Sequence, residues 1–346
     1  MSGAGPVLID ARAAARGRIG GVERWAREMA VRLPRLRPGA YAVDRPPRAL
    51  AHLPGHAWEQ AALPLDALRR RATLIYAPAN LAPLAWPRNV VMIHDAAAIR
   101  HPEFYSAPYA RWQRLVLPAI ARRAVHVVTP SAYARDEVVE LLGADPASMS
   151  VIAGGVDAHF SPGADPAPVA RSHGLTRPYV LTVGTPGPRK GLAALAAAAS
   201  RLAGDGMDLV AAGGGRHYIP DGAAGGLRSL GYVEDAQLPG LYAGARAFVL
   251  PSVHEGFGLP CLEAMACGVP VVAASAPALR ETFGDAALMV SPADGEEGFG
   301  EALARILGDE GLRARLRDAG LALAARLTWD RAARETDALL ARIVRA

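Results

Sequence analysis

Residues 254–270 read His-Glu-Gly-Phe-Gly-Leu-Pro-Cys-Leu-Glu-Ala-Met-Ala-Cys-Gly-Val-Pro, directly downstream of the apolar run Ala247–Leu250. A short apolar run, a glycine-rich loop and then helix signals describe one strand–loop–helix unit of a parallel sheet. Gly256 and Gly258 allow close backbone approach to a ligand. Pro260 suits the first turn of the helix and Gly268 the position just past its end. The free N–H groups of that helix start face the end of the strand, where a phosphate is stabilised. Glu255 lies in the loop and Glu263 on the helix. Two carboxylates flanking an anion hole suit hydroxyl groups rather than the phosphate itself.

The same logic runs through the chain. Tyr179–Val183 leads into Gly184-Thr185-Pro186-Gly187-Pro188-Arg189-Lys190-Gly191, which holds the only lysine of the chain. Lys190 is followed by Gly191 rather than Ser or Thr, so this is no Walker A loop. Cations at a helix start oppose the helix dipole unless an anion is bound. Further strands are expected at Val7–Ile9, Leu74–Tyr76, Val90–Ile93, Val125–Val128, Leu209–Ala212 and Val269–Ala273. After the first of these, a Gly17–Gly21 loop precedes apolar positions Val22, Trp25, Ala26, Met29, Ala30 and Leu33 at helical spacing, which Pro34 ends. Strands alternating with helices predict an α/β fold with parallel sheets covered on both faces. The Pro-, Gly- and Ala-rich stretch 161–178 reads as a connection between a domain at 1–165 and another at 175–327. A last helix, 328–346, starts from Thr328 as N-cap. Residues 38–70 carry little pattern, and Trp58-Glu59-Gln60 is either packed or ligand-facing.

A length of 346 residues suits two domains, and the 51% apolar and 21% charged composition excludes disorder. Cys261 and Cys267 are too few for a disulfide framework and read as buried thiols of a reducing compartment. No apolar stretch is long enough to span a membrane. Asp10 and several arginines stand where a signal peptide needs an apolar run, so a cytoplasmic location is expected. Residues 1–160 hold 20 Arg against 13 Asp and Glu, whereas the remainder holds 18 basic and 20 acidic residues. Three readings of the basic half stay open: a phosphate-bearing acceptor, a peripheral contact with the anionic inner face of a membrane, or a solvated surface. No Asp-x-Asp pair occurs. No metal, cofactor or nucleic-acid partner is expected.

The whole string EGFGLPCLEAMACGVPVV closely resembles the donor-site motif of retaining glycosyltransferase family 4, with a general likeness to bacterial polysaccharide mannosyltransferases. The resemblance implies the GT-B fold, two Rossmann-like doubly wound domains facing a central cleft. The N-terminal domain would take the acceptor and the C-terminal one the nucleotide-sugar donor, with the final helix crossing back onto the first. It implies roles as well. Glu255 would contact the transferred sugar around its 3-hydroxyl, and the Gly256 loop would offer the amides of Phe257, Gly258 and Leu259 to sugar and pyrophosphate. Glu263 would hold the ribose hydroxyls. Arg189 and Lys190 resemble the family's pyrophosphate-binding pair. Thr185 stands where many members carry Arg, so the cationic duty falls on those two. Ile93-His94-Asp95 resembles the segment whose His lies near the transferred sugar, and Gly20-Gly21 the glycine loop that approaches phosphates and acceptor. Val233 would edge the base.

The implied reaction is metal-free, retaining transfer of a hexose to an acceptor hydroxyl in glycan or glycoconjugate biosynthesis, with His94, Glu255 and Lys190 as catalytic residues. Mannose from GDP-mannose is the first expectation and UDP-glucose the next; the acceptor is a glycan, a lipid-linked glycan or a small molecule. Two rivals share the architecture. A nucleotide-sugar epimerase would need acid and base groups at the sugar carbon, which no segment spells out. Against a non-catalytic sugar-nucleotide-binding subunit stands the presence of both glutamates and Lys190.

Overall fold

The computed structural model describes residues 5–47, 55–215, 226–295 and 297–346. Part of the unpatterned stretch 38–70, namely 48–54, thus lies outside the described residues. The chain divides into two compact units: Met1–Arg100, Pro108–Gly154 and Trp329–Ala346 form the first, and His101–Ala107 with Gly155–Thr328 form the second.

The strands of the first unit are β1 (Val7–Asp10), β2 (Tyr41–Asp44), β3 (Leu74–Ala77), β4 (Asn89–Met92), β5 (His126–Thr129) and β6 (Met149–Val151). They form one sheet in the order β2-β1-β3-β4-β5-β6. The second unit contains β7 (Tyr179–Val183), β8 (Asp208–Ala212), β9 (Arg228–Gly231), β10 (Ala247–Leu250), β11 (Val271–Ala274) and β12 (Ala287–Val290), ordered β12-β11-β10-β7-β8-β9. All pairings in both sheets are parallel. The second sheet grows outward from β7 to β9, then resumes on the other side of β7 with β10. The strand order therefore reverses between β7 and β10, and open α/β sheets bind ligands outside the carboxyl ends of strands at such a reversal.

Five helices matter for the argument: α1 (Gly21–Leu36), α2 (Leu238–Ala243), α3 (Leu259–Ala266), α4 (Glu310–Arg326) and α5 (Trp329–Arg345). The apolar face of α1 buries Trp25, Met29 and Leu33. Pro34 does not end this helix, which runs to Leu36. A proline in the last turn costs one hydrogen bond, and the Arg37 amide still reaches the Leu33 carbonyl at 3.2 Å.

The expected strands all appear, shifted by one or two residues at most. Strands β2, β6, β9 and β12 are not among the expected strands. All four are sheet edges. Half-exposed edges need no continuous apolar run, and Met149-Ser150-Val151 or Arg228–Gly231 show none. The inner strands are apolar because helices cover both faces. Val180, Leu209, Val249 and Val272 pack with Leu195, Leu202, Leu303 and Ile306 in the second unit. In the first, Val91, Ile93 and Val127 meet Leu117 and Ile120, while Leu8 and Ile75 meet Trp58 and Leu63. Trp58 and Glu59 are therefore packed, in a π-helical turn over Trp58–Ala62.

Helix α5 belongs to the first unit although it follows the whole of the second. Trp329 stands edge-on to Trp25 with ring centres 5.3 Å apart. Asp337 accepts from the Arg37 guanidinium at 2.7 Å and from the Tyr41 hydroxyl. Both cysteines are buried and unpaired. No helix among the described residues is long and apolar enough to cross a membrane.

Candidate active site

The loops after β7 and β10 meet at the strand-order reversal. Gly191 sits at φ +63°, and a Cβ there would lie 2.3 Å from the Pro251 carbonyl oxygen, so only glycine allows this approach. The Val253 amide donates to the Arg189 carbonyl at 3.1 Å, and Arg189 Nη1 donates to the His254 carbonyl at 3.3 Å. These bonds fix one loop against the other.

Through that junction Lys190 reaches Glu255. Its Nζ donates to Oε1 at 2.5 Å, with both residues buried, and Arg189 Nη1 stands 3.5 Å from Oε2. Gly184 makes room for the lysine, because a Cβ there would come within 3.0 Å of Lys190 Cε. Burial alone pushes a carboxyl upward. Here the charges of Lys190 and Arg189 and the lysine's hydrogen bond overcome it and pull Glu255 down to about 2. One carboxylate with two cations leaves this corner net positive. The Arg-Lys pair lies in a 3₁₀ turn, Pro188–Lys190, rather than opening an α-helix, and Lys190 is interior rather than solvated.

Beyond Glu255 the chain turns into α3. Gly258 caps it at φ +98°, where an added Cβ would lie 2.4 Å from Leu279 Cδ2. Pro260 falls in its first turn, and Gly268, at φ +71°, follows its end. Among the described residues, the amides of Phe257, Gly258 and Leu259 meet no protein acceptor. Those of Gly258 and Leu259 are orphan donors of the helix start and carry its partial positive charge, and that of Phe257 lies just before the cap. One turn further in, Glu263 is buried and its Oε2 accepts from the Tyr242 hydroxyl at 2.8 Å. Gly320 in α4 leaves room for Met265, so α4 packs closely against α3. The second unit thus brings together Arg189, Lys190, Glu255, the Gly256–Leu259 loop and Glu263. Val233 is buried just after β9.

His94, Gly20 and Gly21 belong to the first unit. His94 follows β4. Its amide donates to Asn80 Oδ1 at 2.8 Å, and its Nε2–H donates to the Pro78 carbonyl at 2.9 Å, which leaves Nδ1 as the acceptor nitrogen. Trp25 meets the imidazole edge-on at 5.5 Å. Burial pushes His94 below its ordinary value, and the Pro78 carbonyl with the carboxylates of Asp95 and Glu23 pulls it only part of the way back. Gly20 caps α1, and its amide donates to Glu23 Oε2 at 3.0 Å while Arg16 holds the other oxygen at 2.8 Å. Sequence reading passed over Tyr242, which stands in no motif, and His254, which is buried with its ring 5.5 Å from that of His101. Among the described residues, no three His, Cys, Asp or Glu side chains form a group able to hold a metal ion.

Residues 19–160 match the family model described as Glycosyltransferase Family 4, and residues 177–309 match Glycosyl transferases group 1. The O-antigen chain mannosyltransferase B of Escherichia coli is 33% identical over 288 residues, 78% of this chain and 74% of that one. A D-inositol 3-phosphate glycosyltransferase of Kribbella flavida is 34% identical over 223 residues, and this match spans only 52% of its length. Among solved structures, a sucrose-phosphate synthase from Thermosynechococcus elongatus superimposes with a TM-score of 0.77 at 20% identity, covering 98% of this chain and 99% of that one. Anabaena HepE in complex with UDP-glucose gives 0.72 at 19%, covering 98% and 100%. At such identities these structures speak for the fold, which is GT-B.

Proposed function

We infer the activity from one premise: the chain belongs to glycosyltransferase family 4. It moves a hexosyl group from a nucleotide-sugar to an acceptor hydroxyl, with retention at the anomeric carbon and without a metal ion. The observation that carries this reading is the Lys190–Glu255 pair, 2.5 Å long, beside three amides leading into α3 that meet no acceptor among the described residues. A departing nucleoside diphosphate gains negative charge, and its stabilisers must be in place beforehand. Lys190, Arg189 and the amides of Phe257, Gly258 and Leu259 supply that charge. Glu255 then accepts from the sugar hydroxyls near its 3-position, and Glu263 from the ribose.

His94 contributes a neutral imidazole. With Nε2–H committed to Pro78, its Nδ1 accepts a hydrogen bond from a sugar hydroxyl and thereby orients the transferred sugar. Gly20 and Gly21 serve the donor phosphates and Val233 the base. The acceptor hydroxyl attacks from the face that the diphosphate leaves, and a leaving phosphate oxygen takes its proton, so no carboxylate base is required. Mannose from GDP-mannose is favoured by the likeness to the O-antigen mannosyltransferase; UDP-glucose, the ligand named for HepE, comes next. The acceptor is a glycan, lipid-linked glycan or small molecule, and the arginine-rich first 160 residues suit an anionic acceptor or the inner membrane face.

The test is a thermal-shift panel of UDP, GDP, dTDP and their sugars, since a ligand that binds the folded state raises its apparent stability. The preferred nucleotide should stabilise the native protein, and Glu263→Ala should abolish most of that shift. An unchanged shift in the variant would show that the nucleotide lies elsewhere. An epimer formed from donor alone would favour the epimerase reading.

A further inference from the structure

The geometry points to Tyr242 as the residue that positions Glu263 for a vicinal diol and so sets selectivity for ribose over 2′-deoxyribose. The inference rests on the reading of Glu263 as the ribose clamp, but it concerns a side chain outside every motif of the sequence.

Glu263 is 4% exposed and Tyr242 0%. A carboxylate at such depth needs hydrogen-bond donors for its oxygens. The Tyr242 hydroxyl is such a donor, 2.8 Å from Oε2. Its own position is fixed from several sides. The ring stands edge-on to Phe160 with centres 5.9 Å apart and tilted against Phe248 at 5.6 Å. Helix α2, which carries it, is tied to the start of β7 by the Tyr179 hydroxyl, which donates to the Leu241 carbonyl at 2.7 Å. The helix also runs so close to residue 165 that a Cβ on Gly240 would lie 2.4 Å from the Asp165 carbonyl oxygen. The phenol is therefore delivered to one point, and the carboxylate torsion follows from it.

A carboxylate held in one orientation accepts from both hydroxyls of a ribose, whereas a rotated one does not. Tyr242 acts through Glu263 and is a positioning residue. Without its hydroxyl, the share of affinity that depends on the 2′-hydroxyl is lost first.

Tyr242→Phe keeps the ring and removes only the donor. Calorimetric titration with UDP, GDP and ADP, and with the 2′-deoxy form of whichever binds tightest, reads the effect. The ribonucleotide Kd should rise about tenfold, as for loss of a charge-assisted hydrogen bond. The deoxynucleotide should lose less, so that selectivity for the 2′-hydroxyl falls. On a Glu263→Ala background, Tyr242→Phe should add nothing further. A variant that weakens both nucleotides equally, or whose effect persists in the absence of Glu263, overturns the inference and leaves Tyr242 a packing residue. Should Glu263→Ala weaken binding while Tyr242→Phe does not, the inference falls alone. Should Glu263→Ala itself leave the Kd unchanged, the ribose reading falls first.

Discussion

Lys190 and Glu255, on loops that leave neighbouring strands, share a buried hydrogen bond of 2.5 Å. Under the function proposed above, the two side chains serve different ends of one substrate, and they hold each other before it arrives. On that proposal, an entering diphosphate would give the ammonium a second anion and free the carboxylate for sugar hydroxyls.

Removing the ammonium should damage fold and function together. Lys190→Met leaves Glu255 buried with Arg189 as its remaining cation, and breaking a buried pair costs about 3 kcal/mol. Urea unfolding measures that loss. Turnover should fall about 10²- to 10³-fold, as when a preorganised stabiliser of developing charge is deleted. A variant of native stability would mean that the pair contributes nothing to the fold.

Acid should weaken the protein through Glu255. Its pKa is about 2 in the fold against an ordinary 4.5. Below roughly pH 5 the unfolded chain takes up the proton before the folded one, so this stabilisation is present above that range and fades towards pH 2. A shift of this size corresponds to about 3 kcal/mol. Glu255→Gln should flatten the pH dependence of the urea midpoint between pH 5 and 3; identical curves for variant and native protein would contradict the pairing.

His94 should give no titration step near its ordinary value. Burial keeps the imidazole neutral below pH 6.5, so the pH profile of kcat should lack an inflection there that disappears in His94→Ala. The same variant should lose about 10²-fold in kcat with unchanged circular dichroism.

Gly258→Ala tests the cap of α3. The residue holds φ +98°, and the new methyl would lie 2.4 Å from Leu279 Cδ2. A loss of about 2 kcal/mol in stability should accompany weaker nucleotide binding, because the neighbouring amides move with the cap. Unaltered binding would remove those amides from the phosphate site.

A chelator should leave transfer untouched. Assay with EDTA, then with added magnesium or manganese, checks this; activity lost and restored in that order would place the leaving-group charge on a metal ion instead of Lys190 and Arg189.

The inner strands of both sheets were legible because burial on two faces writes them as uninterrupted apolar runs, as in Tyr179–Val183 and Ala247–Leu250. The edges β6 and β9 carried no such mark, whereas β12, Ala287–Val290, is an apolar run that the sequence reading passed over. The start of α3 was legible too, since Gly258, Pro260 and Gly268 each answer a local backbone demand that needs no distant partner. What sequence could not supply was pairing at a distance. Nothing along the chain says that Lys190 bonds Glu255 across 65 positions, or that Tyr242 supports Glu263. Both follow from strand order, which brings β7 beside β10, and from helix packing. Pro34 misled because it removes only one N–H from a final turn, which the Arg37 amide still closes on the Leu33 carbonyl.

Helix α5 completes the first unit, yet a ribosome makes it after every residue of the second. Trp25 therefore stays without its partner Trp329 until about 300 further residues have been polymerised. The nascent first unit must wait with an open apolar seam while its successor can already condense, so the order of synthesis and the order of completion are reversed in this chain.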